Sequence, residues 1–228
     1  MLFYQYGADF SATMFCIVLY ISEANMLTAE QYSNLDQAYD YFNRELFDSE
    51  LPDCMITLHR KANTAGYYAH ERFQARDGDA LVAEIALNPD AFEGRSDEVI
   101  LSTLVHEMAH CWQFFLGNPS RRAYHNKEWA AKMEAVGLMP SSTGEPGGSR
   151  VGQKMTHYII SGGRFDVAVK ALLKSGFAVK WGSQPWEKKP RDTSKVKYAC
   201  DECGLNAWAK AGCSLVCGDC GKIMEECA

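Results

Sequence analysis

The chain has 228 residues, of which 47% are hydrophobic and 12% aromatic, enough to bury one sizeable core beside a small second module. The net charge of −6 excludes a protein that binds nucleic acid over its whole surface. The charge is uneven, because residues 151–200 contain 10 Lys or Arg against 3 Asp or Glu. This basic strip is a candidate contact for a polyanion, and the alternative is a solvated, lysine-rich linker.

Residues 1–26 are predicted to be an N-terminal overhang of uncertain structure. Their apolar stretch FSATMFCIVLYI is too short to span a bilayer. No Lys or Arg precedes Arg44, so the basic region of a signal peptide is missing. We therefore expect a cytoplasmic protein that does not associate with membranes.

The regular pattern begins with a helix and three strands. Apolar residues recur at three- and four-residue spacings after Thr28, a candidate N-cap, and predict an amphipathic helix. The segments MITLHR, AGYYAHERF and VAEIALN then predict three short strands. Ser96 is the candidate N-cap of the next helix, with Asp97 and Glu98 in its first turn.

The second half of the chain continues with shorter elements. The segment HNKEWAAKMEAVG predicts a helix that ends at Gly137, and MPSSTGEPGGSRVGQ predicts a loop. A short strand and a helix that starts near Gly163 follow in THYIISGGRFDVAVKALLKSG, and SQPWEKKPRDTSK predicts a linker.

The helix LSTLVHEMAHCWQFFLG, residues 101–117, contains a His-Glu-x-x-His motif. His106 and His110 are four residues apart, so they lie on one helix face and can bind one metal ion. Zinc binds imidazole readily, and catalytic zinc sites keep three protein ligands and a position open for water. Glu107 lies about 100° further round the helix, where it can act as general base towards that water. The alternative is a core helix with two satisfied histidines, in which burial of these groups without a metal would be costly.

A catalytic zinc site needs a third ligand. The remaining candidates are His59, His70, His125 and His157, besides the carboxylates. We favour His125, because it opens the next helix after a break and a helical hairpin could return it to the first pair. His59 and His70 lie on predicted strands, where local hydrogen bonds are the simpler role.

Six of the nine cysteines lie in the last 29 residues, and four form two Cys-x-x-Cys pairs. Cys200, Cys203, Cys217 and Cys220 have the spacing of a structural zinc ribbon in a reducing compartment. Each pair is followed by a glycine that suits a tight turn. A site closed by four thiolates has no open position, so we predict a structural role for this second zinc ion.

Together these patterns resemble the SprT-like zinc metalloprotease family, in its Spartan-type form with a C-terminal zinc ribbon. The resemblance is carried by TLVHEMAHCWQ, YHNKEWAAKMEAVGLMPSSTG, GQKMTHYI and the cysteine module. It implies an α+β fold, with a helical zincin-like domain and a small three-stranded sheet. It also implies a catalytic zinc ion on His106, His110 and His125, with Glu107 as the base.

The resemblance further implies an endopeptidase that acts on DNA-bound or DNA-crosslinked proteins, and a nucleoid location in a bacterium. The residues alone slightly favour Trp208 as the core of a small structural cap, whereas the resemblance favours a DNA contact. Basic residues with interleaved tryptophans are compatible with stacking of single-stranded DNA. The predicted contacts are Lys188, Lys189, Arg191, Lys195, Lys197 and Trp208.

The predicted organisation is therefore an overhang (1–26), a metalloprotease domain (27–180), a basic linker (181–197) and a zinc ribbon (198–228). Two other functions remain open. One is a non-catalytic nucleic-acid-binding or regulatory protein that keeps the protease fold, which the intact Glu107 argues against. The other is a peptidase that does not depend on DNA.

Overall fold

The structure is a computed structural model that describes residues 26–121, 124–184 and 195–227. The chain divides into two compact units, Met1–Pro185 and Trp186–Ala228. Residues 1–25 of the predicted overhang lie outside the described residues. Within the described ranges, no helix combines the length and the apolar character needed to cross a membrane.

The described residues of the first unit form four α-helices, five strands and one 3-10 turn. In chain order these are α1 (Met26–Leu46), β1 (Cys54–Leu58), β2 (Gly66–Gln74), β3 (Leu81–Leu87), the turn Pro89–Ala91, α2 (Asp97–Leu116), α3 (Lys127–Val136), β4 (Leu138–Ser141), β5 (Thr156–Ile159) and α4 (Arg164–Lys174).

Strands β1, β2 and β3 form a small mixed sheet in the order β1-β3-β2. β1 is parallel to β3, and β2 is antiparallel to it with a register shift between Ala69 and Phe73. β3 is central and largely buried, as expected for a strand paired on both sides. The structure confirms the three predicted strands and the mixed helix-and-sheet class.

The four helices provide most of the core of the first unit. Helix α2 is buried nearly all round, with Leu101, Leu104 and Met108 at 0% exposure, which is typical of a central helix. α1 does not begin as predicted: the described helix already includes Met26, so Thr28 lies inside it and does not cap it. Met and Leu are good helix formers, so the helix can extend through residues 26 and 27.

The predicted loop after Gly137 differs from the structure in its first residues. Its first residues form strand β4, which pairs antiparallel with β5 from Leu138 opposite Ile159 to Ser141 opposite Thr156. The strand has only four residues and includes Pro140, so it is too short to show an alternation of apolar and polar residues. Its partner β5 is also distant in the chain. Sequence pattern therefore gave no signal for it.

The second unit is a three-stranded antiparallel sheet, ordered β7-β6-β8. Its strands are β6 (Lys195–Ala199), β7 (Asn206–Lys210) and β8 (Glu225–Cys227). Tyr198 is 2% exposed and packs with Cys200, Cys217 and Met224 in a small core. Lys195 and Lys197 are predicted to lie in the linker, but in the structure they are part of β6. They are exposed and alternate with inward-facing residues, as is typical of a strand.

Candidate metal centres

Helix α2 brings two histidines to one buried site. The ring centroids of His106 and His110 are 5.2 Å apart, as expected one helical turn apart. Burial, reinforced by the neighbouring histidines, holds the pKa of His106 well below its usual range. Burial also lowers the pKa of His110 to about 3. Both rings are therefore neutral at pH 7, which is the form that binds a metal ion.

His125 reaches this site from the segment before α3. Asn126 caps that helix by accepting a hydrogen bond from the backbone N–H of Trp129 at 3.0 Å, and Gln113 of α2 donates to the same Asn126 oxygen at 2.7 Å. The backbone N–H of His125 donates to the Gly152 carbonyl at 2.8 Å. The Nδ1 atom of His125 lies 3.1 Å from that carbonyl oxygen. Nδ1 must therefore carry the ring proton, which leaves Nε2 with a free lone pair.

The three histidines place one ring nitrogen each within 4.8 Å of one another. Two nitrogens bound to the same zinc ion through Zn–N bonds of about 2.0–2.1 Å are at most about 4.2 Å apart. This distance is only slightly shorter than 4.8 Å, so small side-chain rotations are enough to bring all three nitrogens to one ion. The fully buried Trp129 packs against the three rings, at centroid distances of 4.9 Å from His106, 5.2 Å from His110 and 4.4 Å from His125. A set of three neutral imidazoles fits zinc and leaves a fourth position open.

Glu107 lies beside this group and faces strand β2. Its side chain is 6% exposed and accepts a hydrogen bond from the backbone N–H of Tyr68. Burial raises the pKa of Glu107 to about 8, and the Tyr68 hydrogen bond opposes the shift. A bound cation would lower this pKa again, into the range suited to a general base near neutral pH.

The approach of β2 to α2 is close at Gly66. A Cβ atom at this position would lie 3.1 Å from Cγ2 of Thr103 and 3.3 Å from Cγ of Glu107. Such contacts are tighter than ordinary van der Waals packing. Glycine at this position therefore lets the strand run directly against the part of the helix that carries Glu107.

The other three histidines do not join the group of three nitrogens. The Nδ1 atom of His59 lies 2.7 Å from a tyrosine hydroxyl oxygen. The ring of His70 stacks on an aromatic ring of α2, with 4.4 Å between the ring centroids. His157 of β5 contacts the site, since its Nδ1 lies 3.1 Å from Nδ1 of His106.

The sulfur atoms of Cys200, Cys203, Cys217 and Cys220 also lie within 4.8 Å of one another. The Sγ atoms of Cys203 and Cys217 are 3.6 Å apart. In a tetrahedral site with Zn–S bonds of about 2.3 Å, two sulfurs are separated by about 3.8 Å. The four thiols therefore fit one zinc ion, and neither Cys213 nor Cys227 is part of this group.

The two Cys-x-x-Cys pairs of this group lie on turns of the same backbone geometry. Gly204 donates its backbone N–H to the Cys200 carbonyl at 2.8 Å, and Gly221 donates to the Cys217 carbonyl at 2.8 Å. Both glycines have left-handed backbone angles, with φ of 70° and 67°, which glycine adopts without strain. Backbone N–H groups in the first turn lower the pKa of Cys200 to about 7, which favours the thiolate form that ligates zinc.

The exposed face of the second unit gathers part of the predicted DNA contacts. Lys195 pairs with Lys210 across β6 and β7, and Lys197 pairs with Trp208, so these side chains share one face of the sheet. Trp208 is 62% exposed, so its interpretation as the core of a structural cap is wrong. The predicted contacts Lys188, Lys189 and Arg191 lie outside the described residues.

Several residues that position the histidines were not found from the sequence. Asn126 carried a usable signal, because asparagine is a preferred N-cap. Gln113 and Trp129 carried none, since their contacts join separate helices and no local pattern reports them.

The structure thus defines a mixed helix-and-sheet protein with two groups of side chains, three histidines and four cysteines, each suited to one metal ion. A model of the SprT-like family matches residues 35–156, which is more than half of the chain and includes His106, Glu107, His110 and His125. The chain belongs to the SprT-like family, and this membership indicates a metalloprotease-related function.

The chain is also similar to a shorter bacterial protein. The chain is 45% identical over 73 residues to an uncharacterized protein in the mucB 3' region of Salmonella typhimurium. The match covers 31% of this chain and 99% of that protein.

Proposed function

We propose that this protein is a zinc-dependent endopeptidase with a zincin-like catalytic domain. The observation that carries the proposal is the convergence of three neutral imidazoles on one point beside the buried carboxyl group of Glu107. A structural metal site has no use for such a carboxylate, so the arrangement favours an enzyme over a non-catalytic binding protein.

The chain's residues divide the catalytic work between them. His106, His110 and His125 would hold the zinc ion, which when bound polarises the peptide carbonyl and makes water easier to deprotonate. Glu107 takes a proton from the attacking water and then delivers it to the nitrogen of the leaving amine. The buried setting of Glu107 suits both steps, because burial raises its pKa and makes the carboxylate a better base.

Strand β2 offers a binding place for the substrate. It pairs with β3 on one side, and no strand of the described residues pairs with its other side. An extended peptide can add to such an edge through backbone hydrogen bonds. Tyr68 lies on this strand and its N–H contacts Glu107, so a peptide bound along β2 passes close to the catalytic carboxyl group.

The first test is cleavage of a DNA-binding protein substrate by the zinc-loaded chain and by the Glu107→Gln variant. The variant should retain its zinc and lose about 10²–10⁴-fold in rate, as expected on loss of a general base. Absence of cleavage by the wild type with two zinc ions bound would favour the non-catalytic alternative.

We further propose that the second unit holds DNA, with a preference for single strands, and so brings the enzyme to DNA-bound or DNA-crosslinked proteins. The support is the face that carries Trp208 with Lys195, Lys197 and Lys210. An exposed aromatic ring among cations can stack on unpaired bases while the lysines contact phosphates. In a bacterium this activity would be located at the nucleoid.

This second proposal is tested by binding of a fluorescent single-stranded oligonucleotide, measured over a series of salt concentrations. Trp208→Ala should cost about 1–3 kcal/mol of binding free energy for each base that stacks on the indole. Lys197→Gln should reduce the salt dependence by about one counterion. Lys222→Gln is the control, because Lys222 forms an ion pair with Glu202 elsewhere in the same unit.

The dependence of cleavage on DNA separates the two remaining functions. Cleavage that needs both Glu107 and DNA supports a DNA-dependent protease. Cleavage that needs Glu107 and is indifferent to DNA identifies a peptidase without DNA dependence, and it removes the second proposal while leaving the first intact.

A further inference from the structure

His157 is a histidine that the proposed reaction does not use, although it contacts the metal-binding group. It lies on β5, and its ring centroid is 5.2 Å from that of His106. The Nδ1 atoms of the two rings are 3.1 Å apart, which is hydrogen-bonding distance. One of these nitrogens must carry a proton and the other must accept it.

Ser102 decides which nitrogen carries the proton. Its hydroxyl lies 2.8 Å from the Val99 carbonyl, to which it donates its single proton. The Nε2 atom of His157 lies 2.8 Å from the same hydroxyl oxygen, so with the Ser102 proton directed at the Val99 carbonyl, Nε2 is the donor in this contact. An imidazole that carries its single proton on Nε2 accepts through its other nitrogen, so the Nδ1 atom of His157 is the acceptor in its contact with His106.

The position of the proton on His157 determines the position of the proton on His106, the metal ligand. Because Nδ1 of His157 accepts, Nδ1 of His106 must donate its N–H. The free lone pair of His106 is therefore on Nε2, and the ring is held in one orientation by a chain of three hydrogen bonds that ends on the Val99 carbonyl. His125 is fixed in the same tautomer by the Gly152 carbonyl.

We propose that His157, supported by Ser102, is a positioning residue that fixes the tautomer and orientation of His106 so that its Nε2 atom is presented to zinc. The proposal rests on the proposed function in one respect, namely that the histidine group binds zinc. Metal-binding histidines usually donate their second N–H to a carboxylate or a carbonyl. Here the acceptor is a neutral imidazole, which orients the ligand without adding a negative charge beside it.

The proton positions can be measured directly in the full chain. Two-bond ¹H–¹⁵N correlation spectra of ¹⁵N-histidine protein, recorded before and after zinc loading, report the tautomer of each ring. We expect the proton on Nε2 in His157 and on Nδ1 in His106. A His157 ring protonated on Nδ1 overturns the proposal, whether or not zinc is bound.

The effect on the metal is measured by competition with a chelator, using Zn²⁺ and also Co²⁺, whose thiolate charge-transfer bands separate the cysteine site from the histidine site. His157→Leu removes the acceptor and should weaken zinc binding at the histidine site about 10–100-fold. His157→Asn places an amide oxygen near the position of Nδ1 and should stay within about 3-fold of the wild type. The cysteine site should not change in either variant.

A second variant keeps the test decisive if His157→Leu does not fold. Ser102→Ala removes the constraint on His157, and we expect a mixture of His157 tautomers with a smaller loss of zinc affinity. Equal affinities of the wild type and His157→Leu, or an equal loss in the Leu and Asn variants, would contradict the proposal. A wild-type histidine site that binds no zinc would instead refute the proposed function, and the tautomer spectra would still decide this inference.

Discussion

The two candidate metal groups differ in how their ligands are positioned. The four cysteines lie on two short turns, in which each glycine and each carbonyl acceptor comes from the turn itself. The three histidines depend on separate elements, since α2 supplies two of them and the start of α3 supplies the third. The cysteine group thus organises the few apolar residues around it, whereas the histidine group is placed by a core that exists without it.

The largest expected effect is that of zinc removal on the second unit. Structural zinc contributes about 10–16 kcal/mol to the folding of small zinc domains, and the apolar core around Tyr198 has only a few buried residues. We expect chelation to unfold residues 195–227 and to leave the first unit folded. Backbone amide spectra of the full chain, with and without chelator, provide the measurement. Loss of dispersion in both units at the same chelator concentration would contradict the comparison.

The next effect compares two tryptophans. Trp129 is 0% exposed and packs against three histidine rings, so Trp129→Ala should cost about 3–5 kcal/mol of unfolding free energy in the first unit. Trp208 is exposed, and Trp208→Ala should change the stability of the zinc-loaded second unit by less than about 0.5 kcal/mol. Urea unfolding followed by signals from each unit measures both changes. Similar costs for the two substitutions would show that exposure does not separate their roles.

A smaller effect is expected at the connection between α2 and α3. Gln113 is 4% exposed and donates to Asn126 and, at 2.9 Å, to Glu128. Gln113→Ala should cost about 1–3 kcal/mol of unfolding free energy and weaken zinc binding at the histidine site about 10-fold. The exposed Gln37 of α1 is the matched control, because Gln37→Ala removes the same side chain from the surface. Unchanged zinc affinity in Gln113→Ala would mean that His125 is held by the Gly152 contacts alone.

The smallest effect per group is the dependence of stability on pH in the zinc-free chain. All six histidines precede residue 195, so this dependence belongs to the first unit. Burial lowers the pKa of His110 to about 3 and that of His157 to about 4. At these two rings the unfolded chain therefore binds more protons than the folded chain below about pH 6.5, so their contribution to stability falls as the pH decreases. Glu107 contributes with the opposite sign, because burial raises its pKa to about 8 and its proton stabilises the folded chain as the pH decreases.

Between pH 6.5 and 5.5 this loss should be at most about 1 kcal/mol for each buried histidine. Urea unfolding at a series of pH values gives the slope, and His157→Asn should reduce it by the contribution of one histidine. In the Glu107→Gln variant, which lacks the opposing contribution of that carboxyl group, a stability that stays constant down to pH 5 would show that these rings are not held neutral by burial.

The same contrast explains what the sequence could and could not predict. The four cysteine ligands and the glycines after them were found from spacing, because a local turn leaves a local signature. His106, Glu107 and His110 were found for the same reason, through the geometry of one helix. His125 needed the additional assumption of a returning helix, since its place depends on hydrogen bonds between α2 and α3.

The residues that orient the histidine group cannot be identified from local sequence patterns. Ser102 and His157 are far apart in the chain and meet only because β5 packs beside α2. The sequence predicts a short strand at His157 but a loop at its pairing partner β4, so periodicity does not place His157 beside α2. Contacts between separate elements follow from packing, and packing is decided by the whole core.

The repeated turn of the cysteine module also has a consequence for inheritance. Its ligands, its glycines and its apolar cluster all lie within residues 195–227, so a single short stretch of coding sequence specifies the whole module. Recombination can move such a stretch to another gene, or delete it, without cutting through a core. The histidine centre draws on positions from Tyr68 to His157, and a crossover anywhere between them would separate parts that function only together.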